Sequence, residues 1–120
     1  MQIEFRHNNH LYTRIRVIGL LNSQDFDFLI DTGSTRTGIP LGACMALGLR
    51  RAGMEKTAGL YGANYLPLFH ARLQIHTRPA IDTQIKGLPV NICLLGVDIL
   101  SMYRMNVDWL SNPKTATAEY

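Results

Sequence analysis

The stretch from Phe28 to Thr35 holds the residues of this sequence that are best suited to chemistry. It begins as an apolar run typical of a buried strand, then places the carboxylate of Asp31 directly before Thr32 and Gly33. Burying an unpaired carboxylate is costly, so a fold that keeps one at the end of a buried strand usually uses it or pairs it. The hydroxyls of Thr32 and Ser34 can bond local backbone, and Gly33 lets the main chain approach another group closely. This pattern predicts a catalytic turn.

Alternating apolar and polar residues ahead of this turn predict a β-meander that delivers Asp31 at its end. Strands are predicted at Ile3–Arg6, Leu11–Gly19 and Asp25–Ile30, with polar turn residues between them. The residues predicted to face inward are Leu11, Thr13, Ile15, Val17, Phe26, Phe28 and Ile30.

The chain after the turn predicts further strands and two short helices. Pro40 suits the start of a helix over 41–47 that Gly48 ends, with Leu41, Cys44 and Met45 packed on the core. The other predicted elements are strands at Glu55–Leu60, Leu66–Ile75, Ile81–Ile85, Val90–Leu95 and Met105–Trp109, a turn at Lys86–Pro89, a helix at Val97–Tyr103, and a strand or loose tail at Thr115–Tyr120. We therefore predict one mostly β domain over residues 1–120.

The composition argues against several classes of protein. Apolar residues make up 47% and charged residues 18% of the 120 residues, which predicts a globular chain with a single core. The net charge of +3 comes with scattered arginines and no basic stripe, so no nucleic-acid partner is expected. The apolar runs are too short to cross a bilayer, and residues 1–7 form no signal-peptide core. We expect no membrane partner, and a cytoplasmic protein or an excised soluble domain.

The cysteines and histidines indicate no metal and no cofactor. Cys44 and Cys93 lack metal-ligand spacing and lie among apolar residues, where a free thiol behaves as a small apolar side chain. Ser34 has no Gly-x-Ser-x-Gly context, which disfavours a different hydrolase. The four histidines match no metal-ligand motif; they are His7, His10, His70 and His76. A structural β domain in which Asp31 merely caps a turn remains an alternative.

The segment from Leu94 to Leu100 supplies a second motif. Leu-Leu-Gly-Val-Asp-Ile-Leu resembles the hydrophobic-hydrophobic-Gly segment and following helix of retropepsin-like aspartic proteases, and Asp31-Thr32-Gly33 resembles their Asp-Thr/Ser-Gly signature. With the proline-led helix and a Gly/Tyr hairpin, the resemblance covers residues from about 11 to 109 in the family's order. It implies an all-β, closed-barrel acid-protease fold with one lobe per chain.

The resemblance further implies an active site that forms only in a homodimer. Two carboxylates a few Å apart share a proton, so the pair can activate a water and protonate the leaving amine. A chain with a single Asp-Thr-Gly obtains the second Asp31 from another copy. The expected activity is that of an aspartic endopeptidase acting on an extended peptide. Dimer contacts are expected from the chain termini, either residues 2–6, residues 115–120 or both. The alternative is a catalytically silent, dimeric peptide-binding or scaffold domain of the same fold.

The remaining site residues follow from the same resemblance. A hairpin tip is expected to form a flap over the substrate, the alternative being a plain turn with surface tyrosines; its residues are Gly59, Leu60, Tyr61, Gly62, Ala63, Asn64 and Tyr65. Pocket walls are expected from Ile39, Leu88 and Val90 together with the two flap tyrosines.

Near Gly96, two charged residues depart from the viral pattern. Arg36 stands where a viral acidic residue often sits, and Val97-Asp98 replaces the viral Arg-Asn or Arg-Asp. We hypothesise that Arg36 and Asp98 pair to brace the active turn. The alternative is that both are solvated.

Overall fold

The structure is a computed structural model that describes residues 1–57 and 64–120. The described residues are mostly β, with 57% strand and 12% helix, which confirms the predicted fold class. The strands are β1 (Glu4–Arg6), β2 (His10–Ile18), β3 (Ser23–Ile30), β4 (Gly38–Pro40), β5 (Arg50–Thr57), β6 (Asn64–Ile75), β7 (Ile81–Leu88), β8 (Cys93–Leu95), β9 (Arg104–Asp108) and β10 (Thr115–Glu119). The helices are a 3₁₀ turn at His7–Asn9, α1 (Leu41–Leu47) and α2 (Val97–Leu100).

Six strands close into a barrel. Their order is β2-β3-β8-β4-β7-β6, and β6 returns to pair with β2. Strands β1 and β5 extend this sheet from β2 and β6. Because side chains alternate across a strand, Thr13, Ile15 and Val17 all point into the barrel and are buried, as the period of two predicts.

The barrel interior is an apolar core. Its most completely buried large side chains come from both halves of the chain; they are Phe28, Phe69, Ile15, Ile39, Leu47, Leu73, Ile75, Ile85, Leu95, Ile99 and Val17. The two thiols lie in the same core, and burial raises the pKa of Cys44 to about 11 and that of Cys93 to about 12. Both cysteines are free, as predicted.

Strand β8 lies between the two strands that flank the predicted catalytic turn. It pairs in parallel with β3 through Phe28, Leu29 and Ile30, and antiparallel with β4 through Gly38. Strand β4 also pairs in parallel with β7. The loop over 31–37 therefore leaves and re-enters the sheet on opposite sides of one strand, which anchors both of its ends.

Several predicted elements need correction. In α1 the buried side chains are Cys44 and Leu47, whereas Leu41 is 41% and Met45 65% exposed, because positions 44 and 47 share the face toward the barrel. The predicted turn at Lys86–Pro89 is wrong up to residue 88, since β7 continues there to pair with β4. Pairing with a distant strand outweighs the local turn signal of glycine and proline.

Three element boundaries also differ from those predicted. The predicted strand at Val90–Leu95 is shorter and starts at Cys93, and the helix predicted at Val97–Tyr103 ends at Leu100. Strand β5 begins at Arg50, five residues before the strand predicted at Glu55–Leu60, because it pairs with β6 from His70 onward.

The two chain ends contact each other within one copy. Strands β9 and β10 form a separate antiparallel pair, and an isolated bridge joins Gln2 to Thr117. The rings of Phe5 and Trp109 meet edge to face at 5.3 Å between centroids. Both predicted dimer segments are thus adjacent on one surface, and their role in a dimer stays a prediction.

Candidate active site

Asp31 lies at the first residue after β3, where the sheet ends. Its backbone amide donates to the Leu95 carbonyl oxygen at 3.0 Å, which extends the parallel pairing of β3 with β8 by one step. The residue is half-buried, while Thr32 and Gly33 beside it are exposed. The core strand therefore fixes the backbone of Asp31 and presents the turn at the surface.

One hydrogen bond orients the Asp31 carboxylate, and a second closes the turn through the Asp31 main chain. The Gly33 amide donates to Asp31 Oδ1 at 3.0 Å, and the Ser34 amide donates to the Asp31 carbonyl oxygen at 3.1 Å. The Ser34 hydroxyl donates to the Arg36 carbonyl oxygen at 2.9 Å. These bonds match the local hydroxyl and glycine roles expected of an Asx-type turn. Gly33 and Ser34 thus both bond to Asp31, and the active-site roles of Thr32, Gly33 and Ser34 stay predictions.

Gly96 brings the second motif against this turn. An added Cβ at Gly96 would lie 2.8 Å from the Ser34 carbonyl oxygen and 2.8 Å from the Arg36 carbonyl carbon, so only glycine fits. The next amide, that of Val97, donates to the same Ser34 oxygen at 2.8 Å. The two motifs identified in the sequence are therefore in direct contact.

Asp98 caps the far end of the turn through Thr37. The Thr37 amide donates to Asp98 Oδ1 at 3.0 Å and Oδ2 at 3.1 Å, and the Thr37 hydroxyl donates to Oδ1 at 2.8 Å. The same hydroxyl accepts the Gly96 amide at 3.1 Å. Thr37 is fully buried, and its role was not predicted from the sequence. The signal for Thr37 in the sequence is a hydroxyl residue directly before the short strand at Gly38–Pro40. That position does not show that its partner, Asp98, lies 61 positions away.

The predicted brace needs correction, because the described ion pair of Arg36 is with Glu55. Arg36 Nε donates to Glu55 Oε1 at 2.9 Å and Arg36 Nη2 to Oε2 at 2.7 Å, while Nη1 donates to the Gln84 carbonyl oxygen at 3.2 Å. These bonds raise the pKa of Arg36 and lower that of Glu55. Arg36 and Asp98 do both brace the turn, each through its own partner.

The predicted pocket and flap residues fall into two groups. Ile39 and Leu88 are 0% and 5% exposed, so in a single copy they belong to the core and offer a substrate almost no surface, whereas Val90 is half-buried. Tyr65 is 65% exposed on β6. The predicted flap residues Gly59, Leu60, Tyr61, Gly62 and Ala63, and the Asn64 side chain, lie outside the described residues, and the flap stays a prediction.

An open groove of about 710 Å³ lies where β2 and β5 meet β6 and β7. Its lining includes Leu49, His70, Arg72, Asp82 and Gln84, and no residue of the turn at 31–34. Within residues 1–57 and 64–120, no three His, Cys, Asp or Glu side chains come close enough together to hold a metal ion. No helix in the same ranges has the length and apolar character needed to span a membrane.

Comparison with known proteins supports the fold. No family model matches the sequence, and no curated protein matches it. Among solved structures, the chain is similar to a retropepsin-like aspartic protease from Rickettsia conorii, with a TM-score of 0.61 and 18% identity. The match covers 88% of this chain and 82% of that one. The likeness confirms the expected fold, and at this identity it is a statement about fold alone.

Proposed function

We propose that this chain is an aspartic endopeptidase, and that two copies build one active site from their two Asp31 carboxylates. One observation supports this most directly: a carboxylate is held at the surface by its own turn, on a fold similar to that of an aspartic protease. The sequence contains one Asp-Thr-Gly, so a second carboxylate of the same kind has to come from another copy.

The chemistry follows from bringing two such carboxylates together. Two carboxyl groups at close range cannot both ionise easily, so one Asp31 stays protonated and acts as the acid while the other is ionised and acts as the base. The base takes a proton from a water that attacks the peptide carbonyl carbon, and the acid protonates the departing amine. The hydrogen bond from the Gly33 amide keeps each carboxylate in a fixed orientation for this step.

The test is the Asp31→Asn variant. We expect cleavage of an unstructured protein to fall by about 10³-fold or more, since a positioned acid or base contributes about 10²–10⁴-fold. The circular dichroism spectrum and the sedimentation coefficient should stay those of the unmodified protein. Asp82→Asn, at a surface carboxylate on β7, is the matched control and should keep full activity. Full cleavage by Asp31→Asn would exclude Asp31 as the catalytic residue.

Dilution tests the requirement for two copies. Specific activity should fall once the protein concentration drops below the dimer dissociation constant, because the site belongs to the dimer. Sedimentation at the same concentrations should show monomer appearing over the same range. A chain that dimerises and binds peptide without cleaving it would instead favour the scaffold alternative.

A further inference from the structure

Three charged side chains join the active turn to the C-terminal end of β5. The carboxylate of Glu55 on β5 accepts hydrogen bonds from Arg36 Nε at 2.9 Å and from Arg36 Nη2 at 2.7 Å. Lys86 on β7 lies 3.8 Å from Glu55 Oε1, and its Nζ donates to the Thr57 hydroxyl at 3.1 Å. Thr57 is the last residue of β5, so this cluster meets the hairpin where the strand ends.

The burial of the cluster makes Glu55 its essential member. The side chains of Arg36, Glu55 and Lys86 are only 28%, 30% and 8% exposed. One carboxylate thus offsets part of the positive charge of two cations whose access to water is restricted. Without its charge, Arg36 and Lys86 would face each other in a partly dry site, and like charges there repel strongly. The two hydrogen bonds between guanidinium and carboxylate also fix the orientation of the Arg36 side chain, which a single hydrogen bond would not.

Arg36 transmits this constraint because its own backbone belongs to the active turn. Its carbonyl oxygen accepts the Ser34 hydroxyl at 2.9 Å, and the following residue, Thr37, is held by Asp98. A side chain fixed at Glu55 therefore holds main-chain atoms of Arg36, which lies three residues after Gly33. The third donor of the guanidinium, bonded to the Gln84 carbonyl oxygen, ties the same residue to β7.

We propose that Glu55 is a positioning residue for the active turn. By binding Arg36, Glu55 fixes the backbone of the turn that carries Asp31 relative to the C-terminal end of β5. Its effect on catalysis rests on the proposed function, whereas its effect on the geometry of the turn does not. The structure thus assigns a role at the active site to a residue outside both sequence motifs.

Hydrogen exchange of backbone amides tests the proposal without requiring activity. The reporters are the amides of Gly33, Ser34 and Thr37 in the turn, and that of Ala118 in the separate β9–β10 pair. In Glu55→Gln we expect the turn reporters to exchange about tenfold faster with Ala118 unchanged, since a charge-assisted pair is lost locally. Asp82→Asn, which breaks the exposed Arg72–Asp82 pair, is the matched control and should leave all four reporters unchanged.

A double-variant cycle separates positioning from a general loss of packing. If Glu55 acts through Arg36, Glu55→Gln should add little to the turn exchange already raised by Arg36→Gln, because both remove one interaction. Additive increases, or faster exchange confined to β5, would overturn the proposal. Should Glu55→Gln fail to fold, Arg36→Lys keeps the charge and removes the fork, and its turn reporters should exchange faster while Ala118 does not.

The kinetic consequence gives a second readout. A displaced Asp31 should lower kcat with little change in KM, because the chemistry is affected more than peptide binding. A rise in KM alone, with unchanged kcat, would count against positioning of the turn. If the unmodified protein cleaves no peptide, the proposed function fails while the exchange result still decides the role of Glu55.

Discussion

Replacing Gly96 by alanine should test the contact between the two sequence motifs most sharply. The added Cβ would lie 2.8 Å from the Ser34 carbonyl oxygen, 2.8 Å from the Arg36 carbonyl carbon and 3.0 Å from the Arg36 amide nitrogen. All three are backbone atoms and cannot turn aside as a flexible side chain could. The turn must therefore move away from β8 as a unit.

That movement carries a cost that can be worked out from the contacts. Overpacking of a close contact costs about 1–3 kcal/mol. The shift also weakens the Val97-to-Ser34 bond of 2.8 Å and the Gly96-to-Thr37 bond of 3.1 Å, at about 1 kcal/mol each. We expect a total loss of about 3–5 kcal/mol in the free energy of unfolding. For a chain of 120 residues this lowers the melting temperature by about 12–20 °C.

The measurement is thermal unfolding followed by circular dichroism, at one fixed protein concentration because the proposed dimerisation would add to stability. Gly42→Ala is the matched control, since nothing lies within 4 Å of an added Cβ there and the residue is inside α1. Alanine favours a helix, so the control should gain about 0.5–1 kcal/mol. A Gly96→Ala protein as stable as this control would refute the close contact between the motifs.

Two further predictions concern the residues that hold the turn. Thr37→Val keeps the shape of a buried side chain but leaves a lone pair of Asp98 and the amide of Gly96 without their partner, so urea unfolding should show a loss of about 2–3 kcal/mol. The pH dependence of stability should show the contribution of Glu55, because its hydrogen bonds with Arg36 lower the pKa of Glu55 below the ordinary 4.5. The stabilisation from the ionised Glu55 is complete above pH 4.5 and is lost as the pH falls through the lower pKa of the folded state. Measured from neutral pH downward, the stability difference between the unmodified protein and Glu55→Gln should therefore shrink below pH 4.5, and a constant difference would contradict it.

The strands and the turn could be predicted from the sequence because their signals are local. A period of two fixes the inner face of β2, and an apolar run ending in Asp31 fixes the end of β3. Gly48 ends α1 with a φ of 69°, the left-handed conformation that glycine adopts easily. Each of these features is encoded within a few residues of where it acts.

The bracing contacts could not be predicted because their partners are distant in sequence. Thr37 reaches Asp98 across 61 positions, and Arg36 reaches Glu55 across 19. Charge alone suggested that Arg36 and Asp98 would pair. Nothing in the sequence shows that the buried Thr37 hydroxyl donates to the Asp98 carboxylate instead. The order of strands decides the matter, since β5 and β7 bring Glu55 and the Gln84 carbonyl to the guanidinium.

These contacts also separate two ways in which the proposed activity can be lost. The described bonds that fix the turn form within one chain, so in the proposed dimer association would not have to order the turn. Changes at Gly96 or Thr37 act on this frame and should reduce stability and activity together. Asp31→Asn leaves the frame intact and should remove activity alone. The proposed function therefore depends on this contrast, because a carboxylate that merely capped its turn would show the opposite pattern, with loss of stability as its main effect.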